Sequence, residues 1–156
     1  MIHPFYCFLT SLQSTALANQ FKPAILQCFG DIAGAISGHF ETYLAVVAQV
    51  LQQAATITAG ADGSYEMFDY VVALREGIMD AWGGIIGAMK TSGKSMYLLS
   101  ARSVVLIANM GIAAEVLQPF VTSIFEVLNS IANDANRSEA LMRSAMGVIG
   151  YVHRFL

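Results

Sequence analysis

Two short runs in this chain resemble motifs that carry chemistry, and both fail on spacing or context. The run GAMKTSGKS, residues 87–95, resembles a phosphate-binding loop, but five residues separate Gly87 from Gly93 where that loop has four. A phosphate-binding loop also follows a strand, whereas a helical pattern precedes this run. The run GAISG, residues 34–38, is not the GxSxG of a serine nucleophile. Neither run predicts catalysis.

The remaining candidates for chemistry are three histidines and a set of carboxylates. The histidines lie far apart and lack the HExxH spacing of a zinc site: His3, His39 and His153. The carboxylates of Asp69, Glu76 and Asp80 have no evident partner for proton transfer. We therefore predict that the chain is not an enzyme and holds neither a metal ion nor a cofactor.

The same three carboxylates share one side of a predicted helix from about Glu66 to Lys90. At about 100° per residue, apolar side chains gather on the opposite side, and an acidic stripe is formed by Asp69, Ala73, Glu76, Asp80, Gly83 and Gly87. One interpretation of this stripe is a solvated face. The other is that it lines a concave groove for a basic ligand. Its glycines favour close approach by a partner, since each costs a helix about 1 kcal/mol.

Helical periodicity extends over most of the chain, and no segment predicts a strand. Apolar residues recur at three- and four-residue steps over 25–36 and again over 40–51, with a break at SGHF between them. Polar breaks are predicted at 58–64, 91–95 and 133–138, and further helices at 66–90, 117–132 and 137–155. Within these helices, Pro23 fits a first turn and Ser138 an N-cap.

Helix pairs joined by polar breaks predict an all-α solenoid. Units of roughly 40–47 residues are typical of HEAT or armadillo arrays. The run FGDIAGAI from Phe29 is echoed by IGYVHRFL from Ile149, which supports repetition. We predict about two and a half to three helix pairs in one HEAT-repeat (armadillo-like) array. Its approximate units are 4–38, 39–90 and 115–156, with 95–114 as an atypical insertion.

Composition leaves two explanations for the apolar character of the chain. Of its 156 residues 56% are apolar and 12% charged, which fits a membrane protein or part of a larger body whose neighbours cover apolar faces. The best membrane candidate, Met96 to Leu117, is interrupted by Arg102, Asn109 and Glu115. A spanning helix needs about 20 mostly apolar residues, so we predict no membrane span. The N-terminus also lacks the basic start of a signal peptide.

Charge is unevenly distributed along a chain whose net charge is −3. Between Asp31 and Trp82 there are seven acids and one base, Arg75. A basic footprint for nucleic acid is absent, and the acidic segment favours a basic protein partner. Arg75 lies off the acidic stripe, and we expect it to pair with an acid of the same or the next repeat. Cys7 and Cys28 form no CxxC motif, and we expect buried, inert thiols in a reducing compartment.

Three longer runs resemble one family. KPAIL..FGDIA.AI...F..YL from Lys22, DY...LREGI.DA from Asp69 and RSEALMRSAMGVIG from Arg137 occur in the order found in the importin-β (karyopherin) family of nuclear import receptors. The resemblance is to the C-terminal third of that family and covers about residues 5–94 and 116–150. It implies that the helices are halves of stacked HEAT repeats, which together present an extended surface.

The resemblance also implies partners. Basic segments of importin-α or of cargo would bind an acidic inner face, which makes Asp69, Glu76 and Asp80 candidate partner contacts. Nucleoporin Phe-Gly repeats would bind grooves on the outer face, and the main site for the Ran GTPase would lie outside this segment. The implied location is the cytoplasm, the nucleus and the nuclear pore. The alternative is a generic helical-repeat interaction module with another partner.

The chain departs from the family in two places. Residues 95–114 have no counterpart recognisable from the resemblance, and Tyr151 stands where Asp31 supplies an acid in the earlier copy of the echoed run. The array also stops without a polar cap. We therefore expect a partial gene product whose exposed ends self-associate, with residues 95–114 translated from non-coding sequence.

Overall fold

Five α-helices make up most of the chain that the computed structural model describes. The backbone is described at 19–60, 63–97 and 104–153, and side chains over the same ranges except 90–114. The helices are α1 Lys22–Ile36, α2 Glu41–Ala55, α3 Tyr65–Tyr97, α4 Val104–Ala132 and α5 Glu139–Val152. Short 3₁₀ turns at Asn19–Phe21 and Ser37–Phe40 precede and follow α1. These ranges contain no strand, which agrees with the predicted all-α class.

The helices form two rows. Helices α1, α3 and α5 pack side by side in the first row, because α3 contacts α1 along much of its length and α5 on its other side. Helices α2 and α4 form the second row, and they contact each other far less extensively than α1 contacts α3. This is the helix-pair arrangement predicted from the periodicity, with each second-row helix preceding a first-row helix in the chain.

Glycines bring the backbones of α1 and α3 into direct contact. A Cβ placed on Gly84 would lie 2.5 Å from the Cα of Gly30, and one placed on Gly77 would lie 2.7 Å from the carbonyl oxygen of Pro23. Because both contacts join residues in increasing order along the two helices, α1 and α3 run parallel. Side chains larger than hydrogen at these positions would separate the first-row helices.

The core lies between the two rows. Phe29, Phe40, Leu44 and Ile78 are fully buried, and residues of all five helices belong to the same apolar cluster. Helix α3 is central: its residues Val71 to Met89 are buried on most sides. The Trp82 ring lies 6.3 Å from the Phe120 ring of α4, between centroids, which joins the two rows.

Two predicted helix boundaries between residues 90 and 117 are wrong. Helix α3 runs through the predicted break at 91–95 to Tyr97, and α4 begins at Val104 instead of near Leu117. A lone glycine costs a helix only about 1 kcal/mol, a weak preference that does not by itself end a helix. Pro119 therefore lies inside α4, where it leaves one backbone carbonyl without its helical donor.

The predicted helix starts are confirmed at two positions. Proline occupies the first turn of α1, where its missing N–H would have had no helical partner. Ser138 caps α5, its hydroxyl oxygen accepting the N–H of Leu141 over 2.9 Å. Helix α5 itself is shorter than the predicted 137–155, since it ends at Val152.

The prediction of buried thiols is wrong for Cys28, the one cysteine among the described residues. Cys28 is half-buried instead of buried, because it lies on the side of α1 that turns away from α3. Cys7 lies outside the described residues. As for membranes, no helix within the described ranges combines the length and apolar character that crossing a bilayer requires.

Candidate partner-binding surface

The acidic stripe lies on α3, the middle helix of the first row. It divides into residues that bond to neighbouring helices and residues that face open space. Asp80 and Glu76 bond to neighbouring helices. Asp69 is exposed, and a Cβ on Gly83 or Gly87 would meet open space. Residues of the first kind stabilise the first row, whereas those of the second kind leave room for a partner.

Asp80 joins all three helices of the first row. Its Oδ2 accepts a hydrogen bond from Nε2 of Gln27 on α1 over 3.0 Å, and its Oδ1 accepts one from Oγ of Ser144 on α5 over 2.8 Å. The residue is nevertheless exposed. A carboxylate accepts more than two hydrogen bonds, so Asp80 keeps acceptor capacity toward solvent while it aligns its two neighbours.

Glu76 is less exposed than Asp80 and bonds to the start of α5. It is half-buried, and its Oε1 accepts a hydrogen bond from the hydroxyl of Ser138, the residue that caps α5. The serine hydroxyl thus donates to α3 while its oxygen accepts from the first turn of α5. Glu76 therefore holds the start of α5 against α3, and one of its two carboxylate oxygens is bonded within the protein.

Asp69 and two glycines form the open part of the stripe. Asp69 is exposed, and a Cβ placed on Gly83 or Gly87 would meet no atom within 4 Å. The space beside these glycines, predicted to allow close approach by a partner, is thus present. Asp31 on the neighbouring α1 is also exposed. It was not among the candidate contacts, although it belongs to the acidic segment found in the sequence.

Arg75 is confirmed as a partner of an acid in the next repeat. It is 7% exposed and pairs with Asp134 in the loop between α4 and α5. Asp134 also accepts the backbone N–H of Asn136 over 2.8 Å. That backbone hydrogen bond, followed by the one from Arg75, holds the pKa of Asp134 below its ordinary value. This pair connects α3 to the turn before α5, away from the acidic stripe.

Replacing Ser138 by alanine tests the role of Glu76. We expect Ser138→Ala to lower the free energy of unfolding by about 1–2 kcal/mol, because it removes a helix cap and leaves a half-buried carboxylate without its donor. The measurement is urea denaturation followed by circular dichroism. The control is Ser130→Ala on the exposed surface of α4. Its free energy of unfolding should lie within about 0.5 kcal/mol of that of the unmodified chain. Equal stability of both variants would contradict the cap.

Metal-binding geometry is absent from the described part of the chain. No three His, Cys, Asp or Glu side chains there lie close enough together to hold an ion. Two of the three histidines can be placed: His39 lies in the turn after α1 and His153 follows α5, and both are exposed. His3 lies outside the described residues.

Comparison with known proteins identifies one family. The family model for importin subunit beta-1-like TPR repeats matches residues 5–107 and 103–155. The two matched ranges overlap at residues 103–107, inside the segment 95–114, and the assignment of that segment as an atypical insertion stays a prediction.

Individual relatives agree with the family model. Importin subunit beta-1 of Schizosaccharomyces pombe is 40% identical over 151 residues, covering 93% of this chain and 15% of that protein. The protein of the same name from Arabidopsis thaliana is 34% identical over 143 residues, covering 91% and 14%. A crystal structure of importin β grown from ammonium sulfate is 66% identical, with a TM-score of 0.79, and covers 97% of this chain and 15% of that one.

Proposed function

Since this chain belongs to the importin subunit beta-1 family, we propose that it is a scaffold segment of a nuclear import receptor and performs no catalysis. The chain spans about 15% of the length of the relatives that it matches. The proposal is therefore limited to a surface within a receptor, operating in the cytoplasm and nucleus. We propose that the first row binds a basic segment, of importin-α or of cargo.

The observation that carries this proposal is the unbalanced charge of the first row. Asp31, Asp69 and Asp80 are exposed on α1 and α3. The two arginines of the first row are already paired: Arg75 is buried against Asp134, and Arg143 bonds to Glu139 one turn earlier in α5. The exposed carboxylates therefore leave a net negative surface, which attracts basic segments and speeds their association.

Helix spacing supports the assignment of this row to the concave side. A stack of helix pairs bends toward the row in which neighbouring helices are closer together. Backbone contact between Gly30 and Gly84 brings α1 and α3 very close, whereas α2 and α4 contact each other sparsely. A concave acidic surface surrounds an extended basic segment on several sides, which is the geometry that the function requires.

We propose a second class of partner for the other row. Val46 on α2 and Phe125 on α4 are 45% and 43% exposed. Exposed apolar side chains on successive second-row helices are suited to the phenylalanines of nucleoporin Phe-Gly repeats. The Ran GTPase would act on the receptor mainly outside this segment. A generic repeat module would share the acidic row but have another partner.

Charge reversal at Asp69 tests the basic-segment proposal. Asp69 is chosen because it is exposed and no described side chain is hydrogen-bonded to it in the structure, so Asp69→Lys leaves the contacts between helices intact. We expect a lysine- and arginine-rich importin-α segment to bind roughly three- to tenfold more weakly at low salt, and the loss to shrink at physiological salt. Fluorescence anisotropy of the labelled segment measures both.

The control is Glu126→Lys, which changes net charge equally on the exposed surface of α4. It should leave affinity within about twofold of the unmodified chain. Equal losses in the two variants would show that only net charge matters. Absence of binding by the unmodified chain at low salt would contradict the proposed function.

A further inference from the structure

The start of α3 carries a large aromatic side chain that the fold leaves uncovered. Tyr65 is 91% exposed, the highest value among the large apolar side chains that the structure describes. No described residue is hydrogen-bonded to its hydroxyl. A tyrosine ring offers a large apolar area for contact, and aromatic residues are enriched where a partner covers the surface. Tyr65 is therefore a candidate contact for a partner.

Tyr65 lies one turn before Asp69, the first carboxylate of the acidic stripe. A separation of four residues places the two Cβ atoms about 5–6 Å apart on the same side of α3. Helical side chains lean toward the N-terminal end of their helix, so the Asp69 carboxylate leans toward Tyr65. The first turn is held in this geometry by Ser64, whose Oγ accepts the N–H of Met67 over 3.3 Å. An exposed ring and an exposed carboxylate are thus neighbours.

This pair lies beyond the described neighbours of α3 in the first row. Pro23, at the start of α1, lies against Gly77, and Ser138, at the start of α5, bonds to Glu76. Tyr65 is therefore about 16 Å from the level at which α1 and α5 begin, at 1.5 Å per residue. Among the described helices, neither α1 nor α5 flanks the pair, so one side chain of a partner can reach the ring and the carboxylate together.

A ring beside a carboxylate is suited to arginine. The guanidinium group is planar, bonds a carboxylate through two N–H groups and stacks on an aromatic face. The ammonium group of lysine is a compact, strongly hydrated charge without such a plane. We propose, on the basis of the basic-segment function proposed above, that Tyr65 and Asp69 bind one arginine of that segment, with its guanidinium stacked on the ring and bonded to the carboxylate. The pair selects arginine over lysine.

Hexa-arginine and hexa-lysine peptides of equal charge test this selection. Fluorescence anisotropy of each labelled peptide measures its affinity for the full chain at low and at physiological salt. We expect Tyr65→Ala to weaken hexa-arginine binding by about three- to fivefold, which corresponds to a cation–π contact at an exposed site, and to change hexa-lysine binding by less than about 1.5-fold. The loss should persist at physiological salt, since a contact much shorter than the Debye length is screened little.

Three further variants separate the ring from other effects. Tyr65→Phe keeps the ring and should keep arginine binding within about 1.5-fold, whereas Tyr65→Leu, which is apolar without a ring, should behave as Tyr65→Ala does. Met67→Ala is the matched control. Met67 is 37% exposed and lies two residues on, on the other side of the same turn, so its loss should leave both peptides within about 1.5-fold. Circular dichroism checks that every variant keeps its helix content.

A double variant tests whether one guanidinium contacts both residues. Asp69→Asn removes the carboxylate charge and leaves the ring in place. If the same arginine bonds to one residue and stacks on the other, the two losses are coupled. Tyr65→Ala combined with Asp69→Asn should therefore lose less hexa-arginine affinity than the product of the two single losses.

The outcomes separate this proposal from the function on which it rests. Equal changes of the two peptides in Tyr65→Ala, arginine binding retained by Tyr65→Leu, or independent losses in the double variant would each overturn arginine selection by the pair. In each case binding by the unmodified chain would leave the basic-segment function standing. Failure of both peptides to bind the unmodified chain at low salt would overturn both proposals.

Discussion

Gly84→Ala is expected to destabilise the fold by about 2–3 kcal/mol, whereas Gly83→Ala stabilises it by about 0.5–1 kcal/mol. The two glycines are adjacent in α3 and gain equally in helix propensity. They differ in surroundings: a Cβ on Gly84 would lie 2.5 Å from the Cα of Gly30 and 2.9 Å from its carbonyl carbon, whereas a Cβ on Gly83 meets nothing within 4 Å. Backbone atoms do not rotate away as a flexible side chain would, so α1 must move.

Chemical denaturation of the two variants measures this contrast. The Gly84 variant should unfold at lower urea concentration than the unmodified chain, and the Gly83 variant at slightly higher concentration. Because both substitutions remove the same backbone freedom, their difference isolates the contact with α1. Matching midpoints for the two variants would contradict direct contact between α1 and α3.

Loss of the Asp134 carboxylate is expected to cost about 2–3 kcal/mol in the variant Asp134→Ala. The reason is that Arg75, 7% exposed, would be left buried with an unpaired charge. Arg75→Met should cost less, about 1 kcal/mol, because a side chain of similar length fills the site and Asp134 keeps the N–H of Asn136. Thermal and urea unfolding at neutral pH rank the two variants. A larger loss for Arg75→Met would contradict this reading.

Acidification provides an independent check on the same pair. The folded chain holds the pKa of Asp134 below its ordinary value of 3.8, first through the N–H of Asn136 and then through Arg75. A lowered folded pKa means that the carboxylate stabilises the fold above about pH 4 and loses this effect as pH falls through the folded pKa. The difference in unfolding free energy between the unmodified chain and Asp134→Ala should therefore shrink below pH 3.8. A constant difference would point to packing alone.

Periodicity predicted the helix pairs because each helix buries one apolar side. Apolar residues must therefore recur at three- and four-residue steps along the sequence. It failed at 91–95, where the polar and glycine-containing run that normally ends a helix is carried through in α3. Such a run reports only a local preference, and a lone glycine costs a helix about 1 kcal/mol. Helix ends are therefore less predictable than helix existence.

The candidate surface shows a similar limit. The position of Arg75 off the acidic stripe was enough to predict a structural pair, but its partner in a loop 59 residues away could not be identified. Likewise, Gln27 and Ser144 lie 53 and 64 residues from Asp80. Hydrogen bonds between neighbouring repeats depend on how the helices stack, and a single sequence carries no direct record of that register.

The tight contact at Gly30 and Gly84 also has a mechanical consequence. Two backbones that already touch cannot move closer, so the first row resists compression. Helices α2 and α4 are sparsely joined and can separate or approach. Elastic deformation of this segment is therefore concentrated in the second row, with the first row as the pivot. Bending of an array built from such segments would thus open and close its second row and leave the spacing of the acidic side chains on the first row nearly constant.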